Sequence, residues 1–464
     1  MLHLRTRIEP VVFLLQMATT FYDSGIHLVL KDYYSKLASS STKPVEIKVE
    51  DAIFNFYFTY KLIMSLTPMV SAYLLTKLGC RGYRRVPICV PIIGYLIARP
   101  LLLLVMILEL PIEVMYAAAA INGLTGYYTT YWPGVKAWAL EGSSEDGRSL
   151  RLMIVEMIRA VASLLLNLAL TLFFMYHKKN GSYGPVLVYC GIIFYAFTAI
   201  YSLCILRAPE QEEMHTENNI EQEPNNNNSP TDLEKNQSTA IDTTSPESPE
   251  PNKTGNATTP MRMIIPLFIS AVLFNYASKG AVEINNLYVE SKPLNWHPNY
   301  AFLGEATTSL LYITSTGGLF FLNKYLNDLQ IIGIGMSSFC VGGILLAFAQ
   351  RTFHYFIARA VMALSMMPIP TMRSAISKLS DRASHRELFV VFQLALSFFA
   401  TGSSIQYRTL YKLSRDWFPG FGFIICSGLG LLSLVALWIA SKCCNKEVSK
   451  DKPGLEEKSV KEIP

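Results

Sequence analysis

The sequence predicts an all-α polytopic membrane protein: two six-helix bundles, about twelve transmembrane helices in all, joined by a soluble linker. Three observations predict it. Of 464 residues, 51% are apolar and only 16% are charged, whereas a soluble protein carries about a quarter charged residues; the mean hydropathy is +0.28. The apolar residues gather into runs of about 20, the length a helix rising about 1.5 Å per residue needs to cross a hydrocarbon core about 30 Å thick. One long polar segment at mid-chain then divides those runs six and six.

The first run, 9–30, is too long for a cleavable signal peptide and lacks a small-residue cleavage site, so it is expected to stay as the first helix. Five more follow at 52–75, 86–108, 114–135, 152–174 and 185–206. The second half supplies 263–287, 300–321, 331–349, 353–376, 388–410 and 418–440. The second, seventh and eighth carry the most polar residues. Gly317-Gly318 and Gly342-Gly343 fall inside apolar runs, where close helix packing explains them. The domain division is thus 1–206, a linker 207–260, 261–441, and a tail 442–464. The linker holds four consecutive asparagines and many Ser, Thr, Glu and Pro residues, with almost no aromatics. It buries too little apolar surface to offset its ordering entropy and is expected to be disordered.

An even number of spans puts both tails and the linker on one side. The clusters Lys77, Arg81, Arg84, Arg85, then Lys136, Arg148, Arg151, then Lys378, Arg382, Arg386 fall on that side. By the positive-inside rule it is the cytosolic one, although the opposite side also carries basic residues such as Lys36, Lys178 and Arg408. Asn180 opens a glycosylation sequon in an outside loop, and Cys443-Cys444, just past the last run, form a palmitoylation candidate. The net charge of +5 is scattered over loops and tails, which argues against a nucleic-acid partner. Among the eight cysteines there is no CxxC and no metal-ligand spacing. No catalytic constellation is visible either, so no enzyme and no cofactor is expected.

Charges inside the spans carry the functional signal. One at the bilayer centre costs about 2.5–3.5 kcal/mol on insertion scales, so it faces the bundle interior and needs a partner or a task. Glu156 and Arg159 share a face of the fifth span at i, i+3 spacing. The reading is either a proton carrier or a static ion pair. Lys279 and Glu283 lie four apart in the seventh, in a polar stripe with Asn275 and Asn286 that lines a cavity or bonds neighbouring helices. Arg373 follows Pro368 and Pro370 in the tenth, where a broken helix often lines a site and a guanidinium grips a carboxylate or phosphate. Lys61 and Arg99 sit mid-span, placed to neutralise an anion or to pair with Asp23. Arg359 and Glu305 sit near span ends, where snorkelling to the interface is the simpler reading. The surplus of cations favours a small anionic organic substrate.

Particular stretches narrow the class. These are Ile8-Glu9-Pro10-Val11-Val12, Tyr22-Asp23-Ser24-Gly25, Asn55-Phe56-Tyr57, Ser71-Ala72-Tyr73 and Gly142-Ser143-Ser144-Glu145 with Arg148 and Arg151. The most specific are the runs from Ile357 to Met362 and from Arg373 to Leu379. Over nearly all the chain except linker and tails, they make it resemble the proton-coupled folate transporter family of the major facilitator superfamily. The resemblance implies proton-coupled uptake of bulky organic anions. It puts the family's proton-coupling carboxylate on Glu156, an acidic residue of the seventh span on Glu283, and the tenth-span arginine on Arg373. Three positions depart. The acidic residue of the latch loop between the second and third spans is Cys80, although Arg84 and Arg85 are kept. The family's fourth-span arginine falls within Ala117–Ala120, and its seventh-span histidine falls on Ser278. The last two argue against folate itself. Within the family's range of folates, antifolates, muropeptides and cyclic dinucleotides, DAP-type muropeptides destined for cytosolic innate sensors become the expected cargo. The expected residence is the plasma membrane, because the tails lack a clear sorting motif, with the endolysosomal membrane as the alternative. Cys80 also keeps open a second class: a non-transporting receptor or scaffold that signals through its linker and tail.

Overall fold

The computed structural model describes residues 8–40, 49–140, 147–176, 183–206, 259–290, 292–296, 301–379 and 385–450. The predicted linker up to residue 258, the tail from 451 and Asn180 lie outside the described residues. A helix stands at each of the twelve predicted spans, and no strand occurs among the described residues. The first is one helix, Glu9–Ser40. The second runs Val49–Leu66 and resumes as Pro68–Cys80. The third is Val86–Ala98 then Leu101–Ile107, and the fourth Val114–Leu124 then Tyr127–Leu140. The fifth is Arg148–Tyr176, and the sixth Gly184–Ile200 closing in a π turn, Tyr201–Ile205. The seventh, eighth and ninth are Thr259–Glu290, Ala301–Leu322 and Asp328–Ala347. The tenth comprises Thr352–Val361, a single 3-10 turn and Pro368–Leu379; the eleventh is His385–Ser414 and the twelfth Phe421–Lys450.

Eight of these stretches are long and apolar enough to cross a membrane by length and composition alone. Of the three most polar by sequence, the second and seventh pass and the eighth does not; the first, fourth and eleventh also do not. These last four all contribute polar side chains to the central cavity described below. A helix with one wet face does not need to be apolar all round. The twelfth helix runs on past the apolar stretch to Lys450, so Cys443 and Cys444 lie on its continuation rather than in a loop.

The breaks have local causes. Proline lacks the N–H that continues a helix, and Pro68, Pro100 and Pro368 stand where the second, third and tenth spans resume. The fourth span breaks at Gly126, whose φ of +97° suits glycine, followed by Tyr127 at +45°.

The packing repeats. In the first half the first span lies along the fifth and sixth, and the third along the fourth and sixth. In the second half the seventh lies along the eleventh and twelfth, and the ninth along the tenth and twelfth. The second scheme is the first shifted by six, as expected of a chain built from two equivalent halves. Across the halves the fifth span packs on the eighth and the second on the eleventh, again an exchange of equivalents. The first and sixth spans approach closely because Gly25, Gly184 and Gly191 sit at their crossing. A Cβ on Gly25 would fall 2.7 Å from Val188 Cγ2, and one on Gly191 would fall 3.1 Å from the Ala18 carbonyl. Of the glycine pairs singled out in the sequence, Gly318, Gly342 and Gly343 are crowded by neighbours, but Gly317 faces open space.

Candidate functional site: a charged cavity between the halves

The two halves enclose a cavity of about 1310 Å³. On the face opposite the linker its lining reaches Trp296, Lys412 and Arg415. Toward the linker face it stops at Glu156 and Arg373. Beyond that floor Arg148 Nη1 donates to Ser377 Oγ at 3.1 Å and ties one half to the other. The cavity is therefore open on the side away from the linker.

All seven residues proposed from the sequence as proton-coupling or substrate-binding groups line this one cavity: Lys61, Arg99, Glu156, Arg159, Lys279, Glu283 and Arg373. They fall into three groups. Glu156 is the centre of the first. Its Oε1 meets Lys136 Nζ at 3.1 Å and its Oε2 meets Arg159 Nε at 3.1 Å. Arg373 Nη1 approaches from the other half, 3.9 Å from Oε1. Arg159 also lies on the Tyr312 ring, 4.7 Å from its centroid. Arg373 is 6% exposed and its Nε has no hydrogen-bond partner. At 3.9 Å its hold on Glu156 is loose, so its donors are available to an anion.

Glu283 is the centre of the second group. Oε1 meets Lys61 Nζ of the first half at 2.8 Å, and Oε2 meets Arg408 Nε at 2.9 Å. Lys279, one turn back, has no ion pair among the described residues and faces the cavity. Asn275 on the same stripe binds another helix instead, donating to the Leu396 carbonyl at 2.8 Å.

The third group surrounds Arg99. Asp23 lies 3.5 Å away, and the rings of Tyr22, Tyr95 and Tyr195 have centroids within 4.1, 5.5 and 5.7 Å of the guanidinium. At 3% exposure Arg99 is enclosed by π faces and one carboxylate. It shapes one wall and holds Asp23 and is no free anion-binding cation.

Two sequence readings are corrected. Arg359 does not snorkel: it is 6% exposed and donates to Thr307 and Thr308. Glu305 does not snorkel either: it lines the cavity, accepting from Asn286 Nδ2 at 3.1 Å and Asn167 Nδ2 at 3.4 Å. Three groups went unnoticed as site residues. Lys136, one residue past the fourth apolar run, and Arg408, at the end of the eleventh, were counted with loop charges, although each remains on its helix. His27, one turn after Asp23, faces the cavity and stacks on Tyr57 at 6.4 Å; the i, i+4 spacing was its only signal. The latch-loop residues lie elsewhere. Cys80 ends the second span, Arg84 and Arg85 sit in the turn into the third, and neither arginine lines the cavity. Ser278 lines the cavity where the family carries histidine, while Ala118 and Ala119 are packed in the core.

A two-half helical bundle around a water-accessible, ion-lined cavity defines a membrane carrier of the major facilitator fold. Solved structures agree on the fold. The human organic anion transporter MFSD10 (TETRAN) superposes with a TM-score of 0.56 at 12% identity, covering 93% of this chain and 99% of that one. A proton:xylose symporter bound to 6-bromo-6-deoxy-D-glucose gives 0.61 at 12% identity, covering 93% and 94%. No protein-family model matches the sequence. Curated relatives do: solute carrier family 46 member 2 of Mus musculus is 33% identical, over 97% of this chain and 95% of its own, and that of Canis lupus familiaris is 34% identical over 95% and 94%. A lysosomal proton-coupled steroid conjugate and bile acid symporter of Gallus gallus is 24% identical over 88% and 84%. The chain belongs to solute carrier family 46; it is a multi-pass membrane transporter and not an enzyme.

Proposed function

We propose that this carrier imports bulky organic anions in symport with protons, by alternating access around the central cavity. One observation carries the reading: among the described residues the cavity is lined by ten Lys and Arg against four Asp and Glu, a field that concentrates anions. The location of Arg373, buried at the floor with an idle Nε and only a loose hold on Glu156, makes it the residue to receive the anionic group. An anion on Arg373 would withdraw one of the three cations around Glu156. That shift would make Glu156 easier to protonate, so substrate and proton would load together. Glu283, held by Lys61 across the halves, would play the matching part nearer the open face.

DAP-type muropeptides delivered to cytosolic innate sensors are the proposed cargo, with cyclic dinucleotides and antifolates as further candidates. The proposed residence is the plasma membrane with both termini cytosolic. The lysosomal relatives keep the endolysosomal membrane as the alternative. An open, charged cavity between intact halves speaks for a working carrier over a scaffold that only retains the fold. Uptake of labelled muropeptide, cyclic dinucleotide and methotrexate into cells expressing the chain tests this. Uptake should rise as external pH falls, and Glu156→Gln should remove the acid stimulation while the protein still reaches the membrane. Full acid stimulation in that variant would sink the role of Glu156, and transport of none of the three probes would sink the cargo class.

A further inference from the structure

Among the described residues four carboxylates line the cavity, and three are committed to cations: Asp23 to Arg99, Glu156 to Lys136 and Arg159, Glu283 to Lys61 and Arg408. A cation beside a carboxylate favours its ionised form and resists a proton. Glu305 differs. Among the described residues it has no salt bridge and is held by two neutral amides. It sits one turn into the eighth span, at the end where the cavity opens, and is exposed to that space.

We propose that Glu305 is the site at which the transported proton is first taken up from the open face, and that its protonation alters the joint between the halves. The joint is the bond from Asn167 of the fifth span to Glu305 of the eighth, across the packed pair that links the two bundles. Asn167 is fully buried; its Nδ2 also serves Ser163 Oγ at 3.1 Å, and its Oδ1 has no partner. An ionised carboxylate offers acceptors only, so Oδ1 stays idle. A protonated carboxyl is a donor. Rotation of the Asn167 amide would let Oδ1 accept the new O–H and satisfy a buried acceptor otherwise left unpaired. One proton thus exchanges the bond polarity at an interface that alternating access must move.

The charged groups on the elements around Glu305 fit this role. The fifth span presents Glu156 and Arg159, already paired with each other, and the seventh presents Lys279 and Glu283. From the tenth, Arg359 is spent on Thr307 and Thr308, and Arg373 lies at the far end of the cavity by Glu156. Asp23 and Glu283 add negative charge and Lys61 positive, and none of them reaches salt-bridge distance of Glu305.

The inference rests on the proton-coupled reading, and two measurements on the purified full chain in lipid separate them. Infrared titration between about pH 5 and pH 8 should show a carboxylic-acid C=O band that appears as pH falls. Glu305→Gln should lack it, while Glu156→Gln and Glu305→Asp should keep it. A band that survives in Glu305→Gln and vanishes in Glu156→Gln overturns the proposal. Proteoliposome uptake of labelled muropeptide, cyclic dinucleotide and methotrexate is the second readout. Glu305→Gln should lose most of the acid stimulation, bringing the acid-to-neutral ratio near one, and Glu305→Asp should restore it. Full acid stimulation in Glu305→Gln would also overturn the proposal. If the wild type shows the band but no acid-stimulated uptake of any probe, the symport reading fails and the proton site stands.

Discussion

Single side chains in this cavity differ in what they are free to do, and burial together with partner lists separates them. Arg373 and Arg99 are both buried arginines of the cavity wall. The Nε of each lacks a hydrogen-bond partner, but Arg99 is enclosed by three tyrosine rings and lies 3.5 Å from Asp23, whereas Arg373 has only a loose ion pair at 3.9 Å. Their substitutions should therefore diverge. Replacing Arg373 by Ala removes charge-assisted bonds to the substrate worth about 1.5–3 kcal/mol. KM should rise roughly 10–100-fold, with the thermal midpoint nearly unchanged. Lys should rescue it only in part, since an ammonium lacks the planar fork. Wild-type KM in Arg373→Lys would exclude bidentate capture. Arg99→Ala should act in the opposite way, leaving Asp23 and three rings without their cation. It should lower the thermal midpoint of the purified carrier and reduce expression before it changes the KM of what folds.

At the scale of elements, the broken tenth span shows how backbone is kept satisfied inside a bilayer. The chain leaves the helix at Val361, turns once through Met362–Leu364 and resumes at Pro368. The freed Ala363 carbonyl accepts from Thr314 Oγ1 at 2.9 Å and Ser315 Oγ at 2.8 Å, both from the eighth span. Ser315 Oγ also takes the Met366 N–H at 3.1 Å, and Ser338 donates to the Val361 carbonyl at 2.6 Å. With no water in the hydrocarbon to replace them, such contacts make a break tolerable. Ser315→Ala removes a donor and an acceptor at once and should cost about 1–3 kcal/mol of stability. Thr314→Ala should cost less, because Ser315 still serves Ala363. Thermal melts of the two variants in one detergent check this, and equal losses would mean that the Ser315 bonds do not matter. Arg373 lies on the segment after the break, so Ser315→Ala should also blur its position and raise KM. The prolines made the break legible in the sequence. The hydroxyls that repair it were not, because Thr314 and Ser315 read only as polarity in a marginal span.

Across the whole molecule, the layout and seven of the cavity residues were legible because lipid allows few solutions. Every long apolar run must be a helix, and a charge within one must face inward. Pairing was legible only in part: Arg159 with Glu156 and Arg99 with Asp23 were readable, whereas Lys61 and Glu283, 222 residues apart, were not. Lys136 and Arg408 were missed because they stand at the ends of their apolar runs, where a charge reads as interfacial, although the helices continue past them.

That pairing carries the last prediction. Lys61 and Glu283 join the halves on one path, and Glu156 and Arg373 on another nearer the linker face. A carrier that alternates must break and remake such links in each cycle. Glu283→Gln leaves Lys61 and Arg408 facing each other without their shared anion, so turnover at saturating substrate should fall sharply. Lys61→Met leaves Glu283 with Arg408 and should be milder. In the double variant the stranded cation of the second span is gone, so turnover should recover relative to Glu283→Gln alone. The double-mutant cycle in the free energy of turnover should then give a coupling of about 0.5–3 kcal/mol. The effect belongs in kcat, because a link between moving bodies acts on the conformational step. Strict additivity, or an effect confined to KM, would show that Lys61 and Glu283 serve the substrate separately and do not gate the halves together.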